Sequence, residues 1–557
     1  MTPHKRPAAQ PQAPAQAPSQ APSQSPSQSL AIPIAQGLSE ALPLVLLGMA
    51  MLYTDRLFTF GDDEATTVSA AAQPLRTFLQ RFFAGVGQQT RPPLYDVWLH
   101  LWLRISHGIF PLLRAPSMVF FLLGLWMLSR AARILGGESS ATALLWTAVL
   151  WPYGFLYGRL AGWYAFTFLL ISALTWTYLR YQSAPTRRRW AVVCLLAVAL
   201  IYSNYAGWAL LALLGVDDWL RNRTQRRATI VRLLATTALL LVVFAPLWFH
   251  FAADVRNAVE LPHNWKSAGL TAGYNLYALV VSESVAPWFW RFSVPATIAV
   301  GAALLAVFFF VREGTRRFYI FAALLFAGMD ILGFLQTRFL LLLAPWFLLP
   351  VAVALGTIKL RYARIALALS LAVAAAVGWY GMYTRRFFIA ERFVEPWAQI
   401  SAEAAKAVQD GGLVIGNNPS FFFYLTYDLH APQTSSQWRF SGSLPEAVHH
   451  PSVWSASGWL AEGRPIRPYM LWIWGISSEG GSSAIMDDAS QFLDSRCGER
   501  VVRHLVHDAG NEWKKRFLPG YDIPWRIETR QYACDIAAAT PPAAGAATPP
   551  KPAPARK

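Results

Sequence analysis

Gly61-Asp62-Asp63-Glu64-Ala65-Thr66 directly follows the first long apolar block of this chain. Three successive carboxylates beside a hydrocarbon core are costly unless solvated or paired, so they stand as a functional hypothesis by default. A second polar anchor, Thr90-Arg91-Pro92-Pro93-Leu94-Tyr95, follows in the same loop. The rest of the chain reads as a membrane scaffold holding this loop, with a water-soluble portion near the C-terminus.

The scaffold is read from composition. Of 557 residues, 55% are hydrophobic and 14% charged. The apolar residues fall in blocks of roughly sixteen or more, the pattern of a polytopic α-helical membrane protein. The net charge of +17 would raise nucleic acid as a partner in a soluble protein. Here Lys and Arg sit in short loops between apolar blocks, where they set topology. No basic face is interleaved with stacking aromatics, so no nucleic acid is expected. Cys194 lies in an apolar block and reads as inert packing. Cys497 and Cys534 share the C-terminal region and are either a disulfide or two free thiols.

Residues 1–36, rich in Pro, Gln, Ala and Ser, are expected to be a disordered tail. They do not read as a signal peptide. Spans are expected at 38–53, 113–134, 140–157, 163–182, 190–205, 206–220, 229–249, 292–311, 318–335, 338–357 and 364–383, about eleven in all. The outer loop 54–112 contains a short helix near Pro74–Gln80. The segment 92–109 carries Asp96, His100, Arg104 and His107, and reads as an amphipathic helix in the interface. With 92–109 not crossing, five basic clusters share one side: Arg130 and Arg133; Arg180 with Arg187, Arg188 and Arg189; Arg221, Arg223, Arg226 and Arg227; Arg312, Arg316 and Arg317; Lys359, Arg361 and Arg364. The positive-inside rule makes that side cytoplasmic, with the N-terminus. The acidic loop, the loop 250–291 and a small extracytoplasmic α/β domain at 384–535 then lie outside. In that domain a helix begins at Pro396-Trp397 and ends at Gly411-Gly412, and Leu413–Gly416 reads as a strand. The tail 536–557 is Ala/Pro-rich.

Asp62, Asp63 and Glu64 have two readings: a solvated loop capping the next helix, or catalysis. Arg91 beside Pro92-Pro93, Arg159 before Gly162-Trp163-Tyr164, and Arg338 in Thr337-Arg338-Phe339 lie on the same expected side. Arginine there either snorkels to the interface or binds an anionic group, to which its planar fork is suited. Asp217 and Asp218 are expected to pair locally with Arg221 and Arg223. Asp330, within a span, is a candidate for interhelical pairing or a cavity contact.

Asp63-Glu64-Ala65, Arg91-Pro92-Pro93-Leu94-Tyr95, Leu113-Arg114-Ala115-Pro116-Ser117, Arg159 with Gly162-Trp163-Tyr164, and Arg338-Phe339-Leu340 with Ala344-Pro345 together resemble the GT-C membrane glycosyltransferases. The set is similar to the dolichyl-phosphate-mannose protein mannosyltransferases and the lipid A aminoarabinose transferases. The resemblance spans about 38–360. It implies a polyprenyl-phosphate-linked sugar donor and an envelope acceptor, a glycolipid, polysaccharide or protein, at the outer face of the cytoplasmic membrane. It implies Asp63 as general base, with Asp62 and Glu64 orienting the acceptor or holding a metal. Arg91, Tyr95, Arg159, Tyr164 and Arg338 would bind substrate. Asp62-Asp63-Glu64 offers oxygen ligands suited to Mg²⁺ or Mn²⁺, although no obligatory metal is expected. The rivals are a transporter or lipid flippase, which predicts charges deep in the spans, and a non-catalytic envelope scaffold.

Overall fold

The computed structural model describes residues 26–83, 92–259, 265–332, 335–389, 393, 395–429, 439–441, 444–446, 452–461, 463–475, 481–506 and 526–534. Helix α1 (Pro26–Tyr53) begins inside the stretch read as a tail. A 3-10 turn, Asp55–Leu57, leads to α2 (Asp62–Ala72), α3 (Leu75–Phe83) and α4 (Leu94–Ile105). The main bundle continues with α5 (Ala115–Gly136), α6 (Glu138–Leu150), the short α7 (Pro152–Tyr157) and α8 (Trp163–Ser183). Next come α9 (Arg187–Ile201), α10 (Gly207–Arg221), α11 (Arg226–Phe244), α12 (Trp248–Val259) and α13 (Trp265–Val281). It closes with α14 (Trp290–Phe310), α15 (Glu313–Ile331), a 3-10 turn at Thr337–Phe339, α16 (Leu340–Thr357) and α17 (Arg361–Thr384).

Each of the eleven expected stretches is helical, but length and composition qualify five helical segments as candidate spans. These are Phe110–Gly136, Arg226–Ala253, Trp290–Phe310, Thr337–Thr357 and Arg361–Thr384. The other stretches are shorter or carry more polar residues: α9 and α10 have 15 residues each, about 22 Å at 1.5 Å per residue, against a hydrocarbon core of about 30 Å. Helix α4 has 12 residues, about 18 Å long, shorter than the hydrocarbon core of about 30 Å. It lies against α2, where His100 Nδ1 is 2.8 Å from the Ala71 carbonyl oxygen.

The stretch 250–291, read as a loop, is largely helical. Helix α13 packs against α7, α15 and α17. Gly269, Gly273 and Asn275 dilute its apolar pattern, so a segment whose helicity is decided by tertiary packing reads as a loop.

The bundle has two chemically different ends. At one, Arg130 and Arg133 pair with Glu40, and Arg312 donates to the Leu135 carbonyl at 3.4 Å. Gly356, near the end of α16, lies against Ser140. Arg317 pairs with Asp217 and donates to Gln182 at 2.9 Å. Arg221 also pairs with Asp217, at 3.1 Å. Asp218 takes Arg232 and Asn222, and the side chain of Arg223 lies outside the described residues. The arginine clusters separated in sequence thus gather at one end. The acidic stretch lies at the other.

Residues 397–534 contribute α18 (Trp397–Gln409), β1 (Leu413–Gly416) and α19 (Pro419–Asp428). A small hairpin follows, β2 (Arg439–Ser441) with β3 (Leu444–Glu446), then β4 (Val453–Ser455) and α20 (Ala456–Ala461). The chain goes on through β5 (Tyr469–Gly475), α21 (Gly481–Arg496), β6 (Cys497–Val506) and β7 (Arg526–Cys534). The main sheet has the order β4-β1-β5-β7-β6. Strand β1 is parallel to β4 and β5, whereas β7 is antiparallel to β5 and β6. Gly411, with φ 81°, ends α18 in the left-handed conformation that glycine adopts at least cost.

Cys497 and Cys534 face each other in the β6–β7 register and form a disulfide. The bridge closes a 37-residue separation. Replacing both cysteines with serine is expected to cost about 2–4 kcal/mol. The measurement is the unfolding midpoint of the sheet with and without the bridge; an unchanged midpoint would contradict it. Cys194 is a free thiol, half-buried.

Candidate active site

The acidic stretch folds as the first turn of α2, where the carboxylates of Asp63 and Glu64 meet the positive end of the helix dipole. Neighbouring side chains there have opposite fates. Glu64 is buried, with 4% of its side chain exposed, while Asp63 is 48% exposed.

Glu64 is saturated by protein donors. Arg114, at the head of α5, donates from Nε to Oε1 at 2.8 Å and from Nη2 to Oε2 at 2.5 Å. The Gly61 amide donates to Oε2 at 3.1 Å and the Ala161 amide to Oε1 at 2.7 Å. Arg114, only 3% exposed, also bonds the Asp55 carboxylate at 3.1 Å and the carbonyls of Phe58 at 3.1 Å and Thr59 at 2.7 Å. One guanidinium thus holds the whole approach to α2. Arg159 completes a buried group of two carboxylates and two guanidiniums. It bonds the Thr54 carbonyl at 3.3 Å and lies over the rings of Phe58 and Phe155. Burial, reinforced by Arg114, lowers its pKa to about 9, so it is still a cation at neutral pH.

Asp63 pairs with Arg338, which lies 275 residues away in the 3-10 turn before α16. Arg338 is 29% exposed and also donates from Nε to Gln336 at 2.8 Å. Trp163 lies between Tyr164 and Phe339, with ring centroids at 4.5 and 5.7 Å. The start of α8 is thereby joined to the Arg338 turn.

The C-terminal sheet region braces the same loop. The Phe60 amide donates to the Tyr424 hydroxyl at 2.7 Å, the Thr59 hydroxyl to the Glu395 carbonyl at 2.5 Å. Phe60 stacks on Phe423, centroids 4.5 Å apart. Burial raises the Tyr424 hydroxyl to a pKa of about 12, which keeps it a neutral partner for the loop.

Only Asp63 and Arg338, of the site residues expected from sequence, meet as an accessible pair among the described residues. Glu64 and Arg159 are buried. Tyr95 is buried, its hydroxyl 3.3 Å from Ser117 Oγ, and Tyr164 is buried against Trp163. Arg91 and the side chain of Asp62 lie outside the described residues. Among the described residues no group of three His, Cys, Asp or Glu is arranged for a metal. The four N–H donors on Glu64 leave it a poor metal ligand. Arg114 is the functional residue whose role the sequence did not disclose. Its signal is the same as that of Arg338, a guanidinium at the head of an apolar helix.

The chain superposes on ArnT from Cupriavidus metallidurans bound to undecaprenyl phosphate with a TM-score of 0.51. The match covers 89% of this chain and 97% of that one at 14% identity. The fold is GT-C-like. The apo state of the same ArnT gives a TM-score of 0.51 at 14% identity, over 91% and 98% of the two chains. A looser match, TM-score 0.44 at 13% identity over 83% and 73%, is to the archaeal oligosaccharyltransferase AglB from Archaeoglobus fulgidus in complex with an inhibitory peptide and a dolichol-phosphate. No family model and no curated protein matches the sequence. The likeness is one of fold: the GT-C-like bundle carries the acidic turn, and the roles of its residues rest on the geometry above.

Proposed function

We propose that this chain is a membrane glycosyltransferase. It moves a hexosyl or pentosyl unit from a polyprenyl-phosphate donor to a glycolipid, polysaccharide or protein acceptor. The observation that carries this reading is the exposed Asp63–Arg338 pair, a candidate base beside a candidate phosphate ligand. Asp63 takes the proton of the acceptor hydroxyl. That oxygen attacks the anomeric carbon, the bond from this carbon to the phosphate oxygen breaks, and the polyprenyl phosphate leaves with the electron pair. Arg338, with Arg91, meets the charge that grows on the leaving phosphate. Without a donor Arg338 is held by Asp63. A donor phosphate competes for the guanidinium and releases the carboxylate for its work. Glu64 is a positioning residue here, since its oxygens are occupied.

Two features support an outward-facing site. The arginine clusters gather at the opposite end of the bundle, as the positive-inside rule requires of the cytoplasmic side. The Cys497–Cys534 disulfide suits an oxidising compartment, and its sheet region braces the acidic loop.

Mass spectrometry of envelope lipids, glycans and glycoproteins tests the reading in cells with the wild-type protein, with Asp63→Asn, and with none. A sugar mass lost from both the variant and the null is expected, and it would name sugar and acceptor together. No difference among the three would remove the glycosyltransferase reading.

A further inference from the structure

Behind Arg338 lies a buried polar network that the mechanism does not use. Glu283, in the link between α13 and α14, is 6% exposed. It accepts the hydroxyls of Tyr157 and, at 3.1 Å, Tyr274. Tyr153 stacks on Tyr157, centroids 4.6 Å apart, and donates to the Thr337 carbonyl at 2.7 Å. Thr337 is therefore held at its backbone carbonyl, one residue before Arg338.

The carboxylate end of the network is itself anchored. Ser284 donates to the Gly378 carbonyl at 2.7 Å, and the Ile389 amide donates to the Glu283 carbonyl at 3.0 Å. A Cβ at Gly378 would lie 2.3 Å from the Val281 carbonyl oxygen, so only glycine lets the link rest directly on α17. Ser282 adopts the left-handed conformation, φ 71°, a strained arrangement that the surrounding contacts must over-determine. Glu283 thus ties α7 to α13, and α7 in turn holds the turn through the Thr337 carbonyl.

We propose that Glu283 is a positioning residue for the donor phosphate, acting through Tyr157 and Tyr153 on the turn that carries Arg338. This rests on the function proposed above. A guanidinium on a long flexible side chain binds phosphate well only where its backbone is held, because ordering it otherwise consumes the binding energy. Glu283 does not touch the donor; it acts through Arg338 alone.

The test is a double-mutant cycle on the full-length, detergent-purified chain. The probe is undecaprenyl phosphate, with undecaprenol, which lacks the phosphate, as control lipid. Glu283→Gln is expected to weaken undecaprenyl phosphate binding about tenfold, the scale of one charge-assisted hydrogen bond. It leaves undecaprenol binding unchanged. Arg338→Ala is expected to weaken the phosphate lipid at least as much. In the Arg338→Ala background Glu283→Gln is expected to add no further loss, since its effect passes through that side chain. Equal losses in both backgrounds, or equal losses for both lipids, would overturn the proposal and leave Glu283 as a general stabiliser of the fold. If Glu283→Gln does not fold, Tyr157→Phe removes one hydroxyl and runs the same cycle, with the same results supporting or overturning the proposal. A wild-type protein that does not prefer undecaprenyl phosphate to undecaprenol would overturn the function reading, and this inference with it.

Discussion

Asp63→Asn is expected to lower the rate of sugar transfer about 10²- to 10⁴-fold, the usual contribution of a positioned general base. Asparagine keeps the size of the side chain and an oxygen that accepts from Arg338, but it cannot take a proton at neutral pH. The position is half exposed, so the change in stability should stay within about 0.5 kcal/mol. Donor affinity should not fall. On the proposed mechanism the donor phosphate competes with Asp63 for the guanidinium that the two residues' pairing occupies, and the neutral amide competes less. The diagnostic result is a large loss of kcat with an unchanged or lower donor KM and an unchanged melting temperature. A variant that keeps more than about a tenth of the wild-type rate would exclude Asp63 as the base.

Breaking the Glu64–Arg114 pair should have the largest effect on stability. Removing one partner of a buried ion pair costs about 3–5 kcal/mol, because the other charge is left without compensation. Arg114→Met strands Glu64, and it also frees the Phe58 and Thr59 carbonyls. Glu64→Gln leaves Arg114 opposite a neutral amide and beside Arg159. Both variants are expected to melt at lower temperature and to lose transfer, since the pair sets the first turn of α2 and therefore Asp63. The double variant should cost less than the sum of the two single losses, which is the signature of a direct pair. Thermal unfolding of the four proteins checks this. Additive losses would mean that the two residues stabilise the fold independently. Asp63 and Glu64 are neighbours in sequence, yet Asp63→Asn should spare the fold and remove the chemistry, whereas Glu64→Gln should remove both.

Much of the architecture is local and was readable from the chain. Apolar blocks form helices because each satisfies its own backbone hydrogen bonds, so eleven expected stretches are helical in the structure. Leu413–Gly416 is a strand and Gly411 ends the helix before it, both as turn and propensity rules require. The basic clusters were assigned to one side by counting crossings, and the structure gathers them at one end. Helix α13 escaped because its glycines and asparagine weaken the apolar pattern, and its helicity depends on α7, α15 and α17.

The sequence by itself determined the helical membrane class and the set of carboxylates and arginines from which partners could be drawn. Only the tertiary structure decided which carboxylate meets which arginine. Asp63 and Glu64 are chemically near-identical neighbours, yet one faces Arg338 at the surface and the other is locked to Arg114 within. Arg159 and Arg338 look alike at their helix heads, yet one is wholly buried and the other accessible. The physical reason is range. Helix formation is fixed within a few residues by backbone geometry and apolar periodicity. Charge pairing is fixed by desolvation and hydrogen-bond geometry between elements 50 to 275 residues apart, and the sequence carries no local signal for that pairing.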